Sequence, residues 1–317
     1  MKGYLKRLVI TVVCSVILFA VLTVLITTGV INGYYEDILM LICFNIILAL
    51  SANLIINITG QLTLGHSAFM AIGAYACAIL NMKLNLPFFL SLIIGAAVAA
   101  FFGFLIGLPT LRLKGDYLAI TTLGFCQIIV VVFQNIPQFG GAQGLTGIPS
   151  NTTFAWAFFS LVVSALLMYN LVHSKHGRAM ISVREDEIAA KSMGINTTKY
   201  KIMAFTIGAF FAGLAGGLYA EYMMFIEPNN SFNFFVSINF VMYVIFGGTG
   251  SFLGCFLSTS VLTFLPEVLR FLGSLRLVIF YVLLIVIMIL REKGIHLTGF
   301  LKYPKALLSR VKAQGGK

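Results

Sequence analysis

The sequence predicts an all-α integral membrane protein of about ten transmembrane helices, with both termini in the cytoplasm. The chain of 317 residues is 60% hydrophobic and only 10% charged, which leaves too few charged side chains to cover a soluble domain. Apolar runs recur along its whole length, and a run of about 20 residues can cross a hydrocarbon core of about 30 Å. The basic residues lie mainly at the ends of those runs, as they do in membrane proteins.

Ten apolar segments are predicted to span the bilayer, with turn signals such as Asn32-Gly33 marking several of their boundaries. The predicted spans are residues 8–28, 37–57, 66–82, 87–108, 117–133, 154–172, 202–225, 232–246, 252–265 and 277–290. Basic residues precede the first span, as in a signal peptide, but its apolar run is too long and no small-residue cleavage site follows. We therefore interpret it as a retained span.

Basic residues are distributed unequally between the two sets of alternate loops. Eighteen of the 21 Lys and Arg residues fall on the side that holds both termini, mostly in residues 173–201 and in the tail at 291–317. The opposite side holds only Lys83, Arg270 and Arg276. Because cytoplasmic loops carry the excess of Lys and Arg, both termini are predicted to be cytoplasmic and the number of spans to be even.

Two Gly-rich breaks interrupt the helical pattern on the predicted cytoplasmic side. Residues 60–65 precede the third span and residues 247–250 precede the ninth, and both of these spans are short. Irregular backbone at membrane depth is tolerated where it is buried in protein or lines a cavity. The alternative interpretation is close helix packing through small residues.

Uncharged polar side chains, rather than carboxylates, occupy the interior of the predicted spans. All ten acidic residues fall in loops or near helix ends, so no mid-span carboxylate is available to relay a proton. Buried polar groups either line a solute path or make hydrogen bonds between helices. The candidate path residues are Asn53, Asn57, Gln61, Thr63, His66, Ser67, Thr121 and Thr122.

Catalytic and cofactor motifs are missing from the sequence. It contains no nucleophile–base pair, no His/Cys ligand cluster and no GxxxxGK[ST] phosphate loop, and its five cysteines are isolated within apolar segments. We therefore expect neither enzymatic activity nor a cofactor or metal site. The net charge of +11 comes from residues at span ends, so no nucleic-acid partner is expected.

The longest polar segment, residues 173–201, is predicted to project into the cytoplasm. Residues 185–193 favour a short helix with acidic residues in its first turn, which suits the helix dipole. Gly194 is a predicted C-cap of that helix, and Asn196 a predicted N-cap of the seventh span. The helix would suit a groove on a partner or pack on its own bundle, through an apolar side formed by Val183, Ile188, Ala189 and Met193.

Several stretches together resemble a known family. They are residues 60–75, 111–124 (Leu-Arg-Leu-Lys-Gly-Asp-Tyr-Leu-Ala-Ile-Thr-Thr-Leu-Gly), 177–194, 209–219 and 247–254. On these stretches the sequence resembles the inner-membrane permeases of branched-chain amino acid ABC importers, most closely the LivM type. The resemblance implies one permease domain over residues 1–317, in a multi-pass protein of the bacterial inner membrane.

The resemblance also implies partners and a coupling element. The partners would be a second, LivH-like permease, two cytoplasmic ABC ATPase subunits and an extracytoplasmic solute-binding protein, all acting at the lipid bilayer. Residues 173–201 would form the coupling loop and residues 291–317 a cytoplasmic tail. The residues implied to contact the ATPase are Arg184, Glu185, Asp186, Glu187, Ala189, Ala190 and Gly194. Glu187 departs from the usual pattern of ABC permeases, because their acid stands one place later.

The implied function is ATP-driven import of branched-chain or related small amino acids. Relatives that carry urea, short amides or sugars leave those solutes open as alternatives. From the residues alone, an ion-coupled secondary transporter is a further alternative, which the absence of mid-span carboxylates disfavours. A membrane-embedded enzyme is a third class, disfavoured by the lack of a catalytic constellation.

Overall fold

The computed structural model describes residues 2–29, 32–110, 113, 115–248 and 250–292, and almost all of them are helical. The helices of the first half are α1 (Lys2–Thr27), α2 (Gly33–Asn53), α3 (His66–Leu84), α4 (Phe88–Thr110), α5 (Asp116–Asn135) and α6 (Phe154–His173). Those of the second half are α7 (Lys175–Glu185), α8 (Glu187–Ser192), α9 (Thr197–Met223), α10 (Pro228–Ser231), α11 (Phe234–Gly247), α12 (Phe252–Val268) and α13 (Arg276–Glu292).

Short segments of other types extend or connect these helices. A π-helical turn, Leu54–Ile58, continues α2, and 3₁₀ turns cover Pro137–Phe139, Gly141–Gln143 and Leu269–Leu275. Within the described residues the only strands are β1 (Leu145–Thr146) and β2 (Phe225–Ile226), which pair antiparallel. The all-α class is therefore confirmed.

Each of the ten predicted spans coincides with a helix. Eight helical segments in the described part of the chain are long and apolar enough to cross a membrane. Three of them join neighbouring elements: α2 with its π-helical turn, α10 with α11, and α12 with part of the 3₁₀ turn that follows it. The other two predicted spans correspond to α1, whose qualifying apolar part is only Ser15–Thr27, and to α13, which has 17 residues. The count of ten and the cytoplasmic position of both termini therefore stay predictions. The tail at 291–317 lies outside the described residues from position 293 onward.

Helices α3, α4 and α9 pack closely through small residues. A Cβ atom added at Gly73 of α3 would lie 2.2 Å from the Cα of Gly213 in α9. A Cβ atom at Gly213 would lie 2.4 Å from the Cβ of Ala99 in α4. Small residues let helix backbones approach each other where lipid supplies no hydrophobic driving force. The glycine pattern of residues 209–219 is thus used for helix packing.

Alternate loops meet at opposite ends of the bundle. At one end, Arg184 from the loop after α6 contacts both Gly-rich breaks, at Gly60 and Gly250. We refer to residues 59–65 as the first break and to residues 248–251 as the second break. At the other end, β1 and β2 join the loop after α5 to the loop after α9. If successive predicted spans cross the membrane in alternate directions, the loops fall into these same two groups.

Contacts along the backbone divide the chain into two compact units. The first is Met1–Thr263 and contains α1 to α11 with most of α12. The second is Phe264–Lys317 and contains the end of α12, the last 3₁₀ turn and α13. All the features discussed below belong to the first unit.

Candidate functional site

The first break runs back into the bundle instead of staying at its surface. Next to it, His66 Nε2 lies 2.7 Å from Ser51 Oγ. Ser51 is about 10 Å along the helix axis from the end of the second predicted span, on the side toward the bundle interior. Ser67 Oγ lies 2.6 Å from Ser237 Oγ, near the start of α11. Helix α3 therefore begins inside the bundle, and the extended break connects it to the end of the π-helical turn.

Side-chain and backbone contacts fasten the break and the start of α3 to two other helices. The backbone N–H of Leu64 donates to Thr122 Oγ1 of α5 at 3.0 Å. Gly65 packs on the same residue so closely that an added Cβ would lie 2.2 Å from its backbone oxygen. Ser67 Oγ lies 3.0 Å from the backbone oxygen of Phe232, and Ser67 N–H donates to Ser237 Oγ at 3.0 Å. The break is thus held between α5 and α11.

Two side chains in or beside the break carry buried polar atoms without a partner. Gln61 is only 4% exposed, and within the described residues neither its Oε1 nor its Nε2 has a hydrogen-bond partner. His66 is fully buried, with Nε2 at Ser51 and Nδ1 without a partner in the same part of the chain. Buried polar groups are nearly always paired with protein or ordered water, so these groups require an explanation.

Seven of the eight candidate path residues come together and one does not. Seven of these residues are buried and lie on or beside the first break: Asn53, Asn57, Gln61, Thr63, His66, Ser67 and Thr122. Thr121 instead lies on the exposed face of α5, where its hydroxyl donates to the backbone oxygen of Tyr117 at 2.8 Å. Sequence reasoning missed Ser51 and Ser237, whose only signal is a hydroxyl within a mainly apolar helix.

Glu221, near the end of α9, is a fully buried carboxylate. Its Oε1 accepts a hydrogen bond from Asn81 Nδ2 at 3.0 Å, and Cys77 Sγ lies 3.6 Å from the same oxygen. Its position near a helix end was predicted, but its burial was not. Isolated burial of an acid is unfavourable, and the contacts that offset it come from Asn81, Cys77 and Asn151.

The loop at residues 173–201, which was predicted to be cytoplasmic, contains two helices where one was predicted. The predicted helix at 185–193 is instead α8, Glu187–Ser192, preceded by α7, Lys175–Glu185. Asp186 separates them: its backbone is extended, and its carboxylate accepts from the N–H groups of Ile188 and Ala189 at 2.8 and 3.0 Å. An Asp at an N-cap satisfies free amide groups, so the boundary moves from position 185 to 187.

Both predicted caps around Gly194 are confirmed. Gly194 has a φ of +81°, in the left-handed region that glycine favours, and its N–H donates to the backbone oxygen of Lys191 at 3.1 Å. Asn196 caps α9 by accepting from the N–H of Lys199 at 3.0 Å. The chain therefore leaves α8 through a tight turn and enters the seventh predicted span directly.

The side chains on the two faces of α8 and its end differ in their exposed fraction. Ile188 is 76% exposed and Met193 is 81% exposed, whereas Ala190 between them is only 5% exposed. The Glu187 carboxylate lies 2.7 Å from Lys201 Nζ, which links α8 to the first turns of α9. The free apolar surface of the loop is thus formed by Ile188 and Met193, while Ala190 faces the protein. The other implied contact residues Glu185, Asp186, Ala189 and Gly194 are exposed.

Arg184, at the end of α7, points toward the breaks. Its Nη1 donates to the backbone oxygen of Asn57 at 2.7 Å, and an added Cβ at Gly250 would lie 3.2 Å from the same nitrogen. A Cβ at Gly60 would lie 3.0 Å from Arg184 Cγ. The guanidinium also pairs with the Glu185 carboxylate, which is mainly exposed.

The Asn57 side chain extends this junction to α11. Its Nδ2 lies 3.1 Å from the backbone oxygen of Gly248, 3.3 Å from that of Val244 and 2.8 Å from Asn53 Oδ1. One residue of the second predicted span is thus bound both to α7 and to the end of α11. Beside it lies an open cavity of about 650 Å³, lined in part by His173, Arg178, Arg184 and Ser251.

Comparison with known proteins identifies the family to which this arrangement belongs. The family described as branched-chain amino acid transport system, permease component, matches residues 34–290, which is most of the chain. The chain belongs to this family. It is therefore a multi-pass permease of the plasma membrane, of a family that serves ABC transporters and is not an enzyme family.

Individual relatives agree with the family assignment. The permease is 36% identical to the high-affinity branched-chain amino acid transport system permease protein LivM of Salmonella typhimurium, over 82% of this chain and 69% of the relative. The Escherichia coli K12 protein of the same name gives the same values. The ribose import permease protein RbsC of Escherichia coli K12 is more distant, at 24% identity over 72% of this chain and 75% of the relative. No solved structure matches the permease.

Proposed function

We propose that the chain is the membrane subunit of an ATP-driven importer for branched-chain or related small amino acids. The 36% identity to two permeases named for high-affinity branched-chain amino acid transport is the observation that carries this proposal. Permeases named for fructose and ribose import are only 26% and 24% identical, which makes a sugar the weaker candidate. Urea and short amides are further alternatives that no observation favours.

Competition for uptake tests the solute class. Cells that express this permease with the other subunits of its importer would take up labelled leucine. We expect unlabelled isoleucine and valine to compete, because their side chains differ from leucine only in the shape of a small apolar group. Unlabelled ribose and urea should not compete. Competition by ribose or urea without competition by isoleucine would contradict the proposed solute.

The end of the bundle that holds α7, α8 and both breaks is proposed to face the cytoplasm. The support is the distribution of charge, since 18 of the 21 basic residues belong to the loops and termini predicted for that side. Reporter fusions at residue 1 and residue 317 test this orientation. An external location of either fusion would contradict it.

ATP hydrolysis is proposed to take place on two separate subunits that dock on α8. The described loop offers them Ile188 and Met193, two large apolar side chains that are more than three-quarters exposed on the proposed cytoplasmic face. Exposed apolar anchors on a short helix are typical of a helix that docks in a partner's groove. A second, LivH-like permease and a solute-binding protein complete the proposed importer.

The solute path is proposed to pass beside the first break. What supports this is a set of buried, uncharged polar groups at membrane depth, including the Gln61 amide and His66 Nδ1, which have no partner within the described residues. Irregular backbone at this depth is tolerated where it is enclosed by protein or lines a cavity. In the conformation described Gly60 and Leu62 are exposed, but Gln61, Thr63 and His66 are buried, so solute passage requires the break to open.

A further inference from the structure

We propose that Arg184 is a positioning residue that ties the cytoplasmic loop to both breaks, so that movement of α8 is transmitted to the interior of the bundle. The inference rests on the proposed function, in which α8 receives the movement of an ATPase subunit. It changes the role that the family resemblance implied for Arg184, from a contact with the ATPase to an internal connection.

The direct connection is the bond from Arg184 Nη1 to the backbone oxygen of Asn57, 2.7 Å long. Asn57 lies at the end of the π-helical turn, one residue before its last member. Carbonyl groups in the last turn of a helix have no partner within it, and a cation placed there also complements the helix dipole. Arg184 therefore satisfies an acceptor that the second span cannot satisfy by itself.

The second connection passes through the side chain of Asn57 to α11. Asn57 Nδ2 lies 3.1 Å from the oxygen of Gly248, which is the first residue of the second break. The backbone of Asn57 is thus held by α7 while its amide holds the end of α11. A displacement of Arg184 consequently acts on the end of the second span and on the second break together.

Packing at Gly60 and Gly250 indicates that the arginine has a defined place. Both glycines have a positive φ, +76° and +75°, and both would bring an added Cβ within 3.2 Å of the Arg184 side chain. The side chain is therefore packed against the backbone of both breaks. The cavity of about 650 Å³ adjoins it on its open side.

Arg178 provides a matched control because it is the other arginine of α7 and lines the same cavity. It is exposed, and its Nη1 donates to the backbone oxygen of His173 at 3.2 Å, within the same loop. Removing the Arg178 charge should therefore leave the connection to Asn57 intact, and removing the Arg184 guanidinium should break it.

The experiment compares Arg184→Gln, Arg184→Lys and Arg178→Gln in the complete importer reconstituted in liposomes. ATP hydrolysis and amino acid uptake are measured on the same samples. We expect Arg178→Gln to stay within about twofold of wild type in both. In Arg184→Gln, hydrolysis should stay within about twofold while uptake falls at least about tenfold. Arg184→Lys, which keeps a charged donor, should recover part of the uptake.

Two results would overturn the proposal. One is wild-type uptake per ATP hydrolysed in Arg184→Gln. The other is loss of the assembled complex in Arg184→Gln together with wild-type coupling in Arg184→Lys, which would assign Arg184 a purely structural role. Failure of the proposed function would look different, because the wild-type complex itself would then show no ATP-dependent uptake.

A distance measurement tests the same connection without relying on uptake. Spin labels at Ser192 and Leu253, both exposed, report the separation of α8 from the first turn of α12, which follows the second break. In the wild-type complex we expect one narrow distance distribution, with and without nucleotide, because the two elements move together. In Arg184→Gln the distribution should broaden. A distribution identical to wild type would contradict the connection.

Discussion

Arg184 Nη1 lies 2.7 Å from the backbone oxygen of Asn57, and this bond joins residues 127 positions apart in the chain. It brings the end of α7 to the end of the second predicted span. In the proposed importer, movement of a docked ATPase subunit would reach the bundle through this connection. A partner shifts a conformational equilibrium only through contacts that differ between the two states.

The exposed face of α8 can be tested by charge substitution. Ile188→Asp and Met193→Asp each replace a mainly exposed apolar side chain, so the permease should insert and fold normally. If these residues are the docking anchors, binding of the ATPase subunits should fall at least about tenfold, the loss typical of truncating a hot spot of about 1.4 kcal/mol or more. Copurification of the ATPase with the permease measures this.

Exposed Ser192→Asp is the matched surface control, because it adds the same charge to α8 without removing an apolar group. Ala190→Asp is unsuitable as a docking test, since Ala190 is buried and the charge would disturb the fold of the loop. Normal ATPase binding by both Ile188→Asp and Met193→Asp would show that α8 does not dock through this face.

The close approach of α3 and α9 predicts a strong effect of a single methyl group. In Gly73→Ala the new Cβ would lie 2.2 Å from Gly213 Cα, a clash with backbone that no side-chain movement can relieve. Overpacking in a tight core destabilises by about 1–3 kcal/mol or more. We expect a clear drop in the midpoint of thermal unfolding of the purified permease in detergent.

Gly124→Ala provides the control for that experiment. Gly124 is also within a membrane helix, α5, and an added Cβ there meets nothing within 4 Å. Alanine has the higher helix propensity, so this variant should be as stable as wild type or slightly more stable. Equal thermal midpoints for Gly73→Ala and Gly124→Ala would contradict the helix packing described for α3 and α9.

The hydrogen bond between Glu221 and Asn81 predicts that an isosteric substitution and a truncation of Glu221 will differ in their effect on stability. Glu221→Gln keeps the side-chain carbonyl oxygen that accepts from Asn81 Nδ2, so its stability should stay close to that of wild type. Glu221→Ala leaves the Asn81 amide buried without that acceptor, which costs about 1–3 kcal/mol. Thermal unfolding in detergent should rank wild type and Glu221→Gln above Glu221→Ala. The reverse order would mean that the Asn81 bond does not stabilise this region.

The proposed path predicts that reagent access changes during the cycle. Cysteines introduced at Thr63 and Ser67 are buried in the conformation described. If the first break opens for solute, small hydrophilic thiol reagents should modify them faster in one nucleotide state of the complete importer than in the other. A cysteine at Thr121, exposed on the outer face of α5, is the control and should show no such dependence. Inertness at both buried positions in every state would indicate that the break serves only for packing.

Local signals predicted much of this protein. Apolar runs located ten helices, because burial in lipid requires continuous apolar segments with their backbone bonds satisfied internally. Gly194 and Asn196 could be predicted as caps because a cap depends only on residues that are close in sequence. Gly194 adopts the left-handed conformation after α8, and the Asn196 side chain accepts from a backbone N–H of α9. The cytoplasmic position of both termini, which rests on the distribution of Lys and Arg, stays a prediction.

Features that depend on distant contacts could not be predicted in the same way. The course of the first break into the bundle depends on Ser67 meeting Ser237, 170 positions away. The burial of Ala190 depends on how a helix of only six residues rests on its neighbours, and so short a helix has little periodicity to indicate a face. The inward direction of Arg184 depends on the end of the second span, which no pattern around residue 184 reveals.

The most direct test of the account is amino acid uptake by the purified importer in liposomes with ATP as the sole energy source. The liposomes would contain this permease, its partner permease and the two ATPase subunits, with the solute-binding protein supplied outside. We predict uphill leucine uptake that requires ATP inside and each partner subunit, and no ATP hydrolysis by this chain alone. Uphill uptake by this chain alone, driven by a proton or sodium gradient without ATP, would contradict the account.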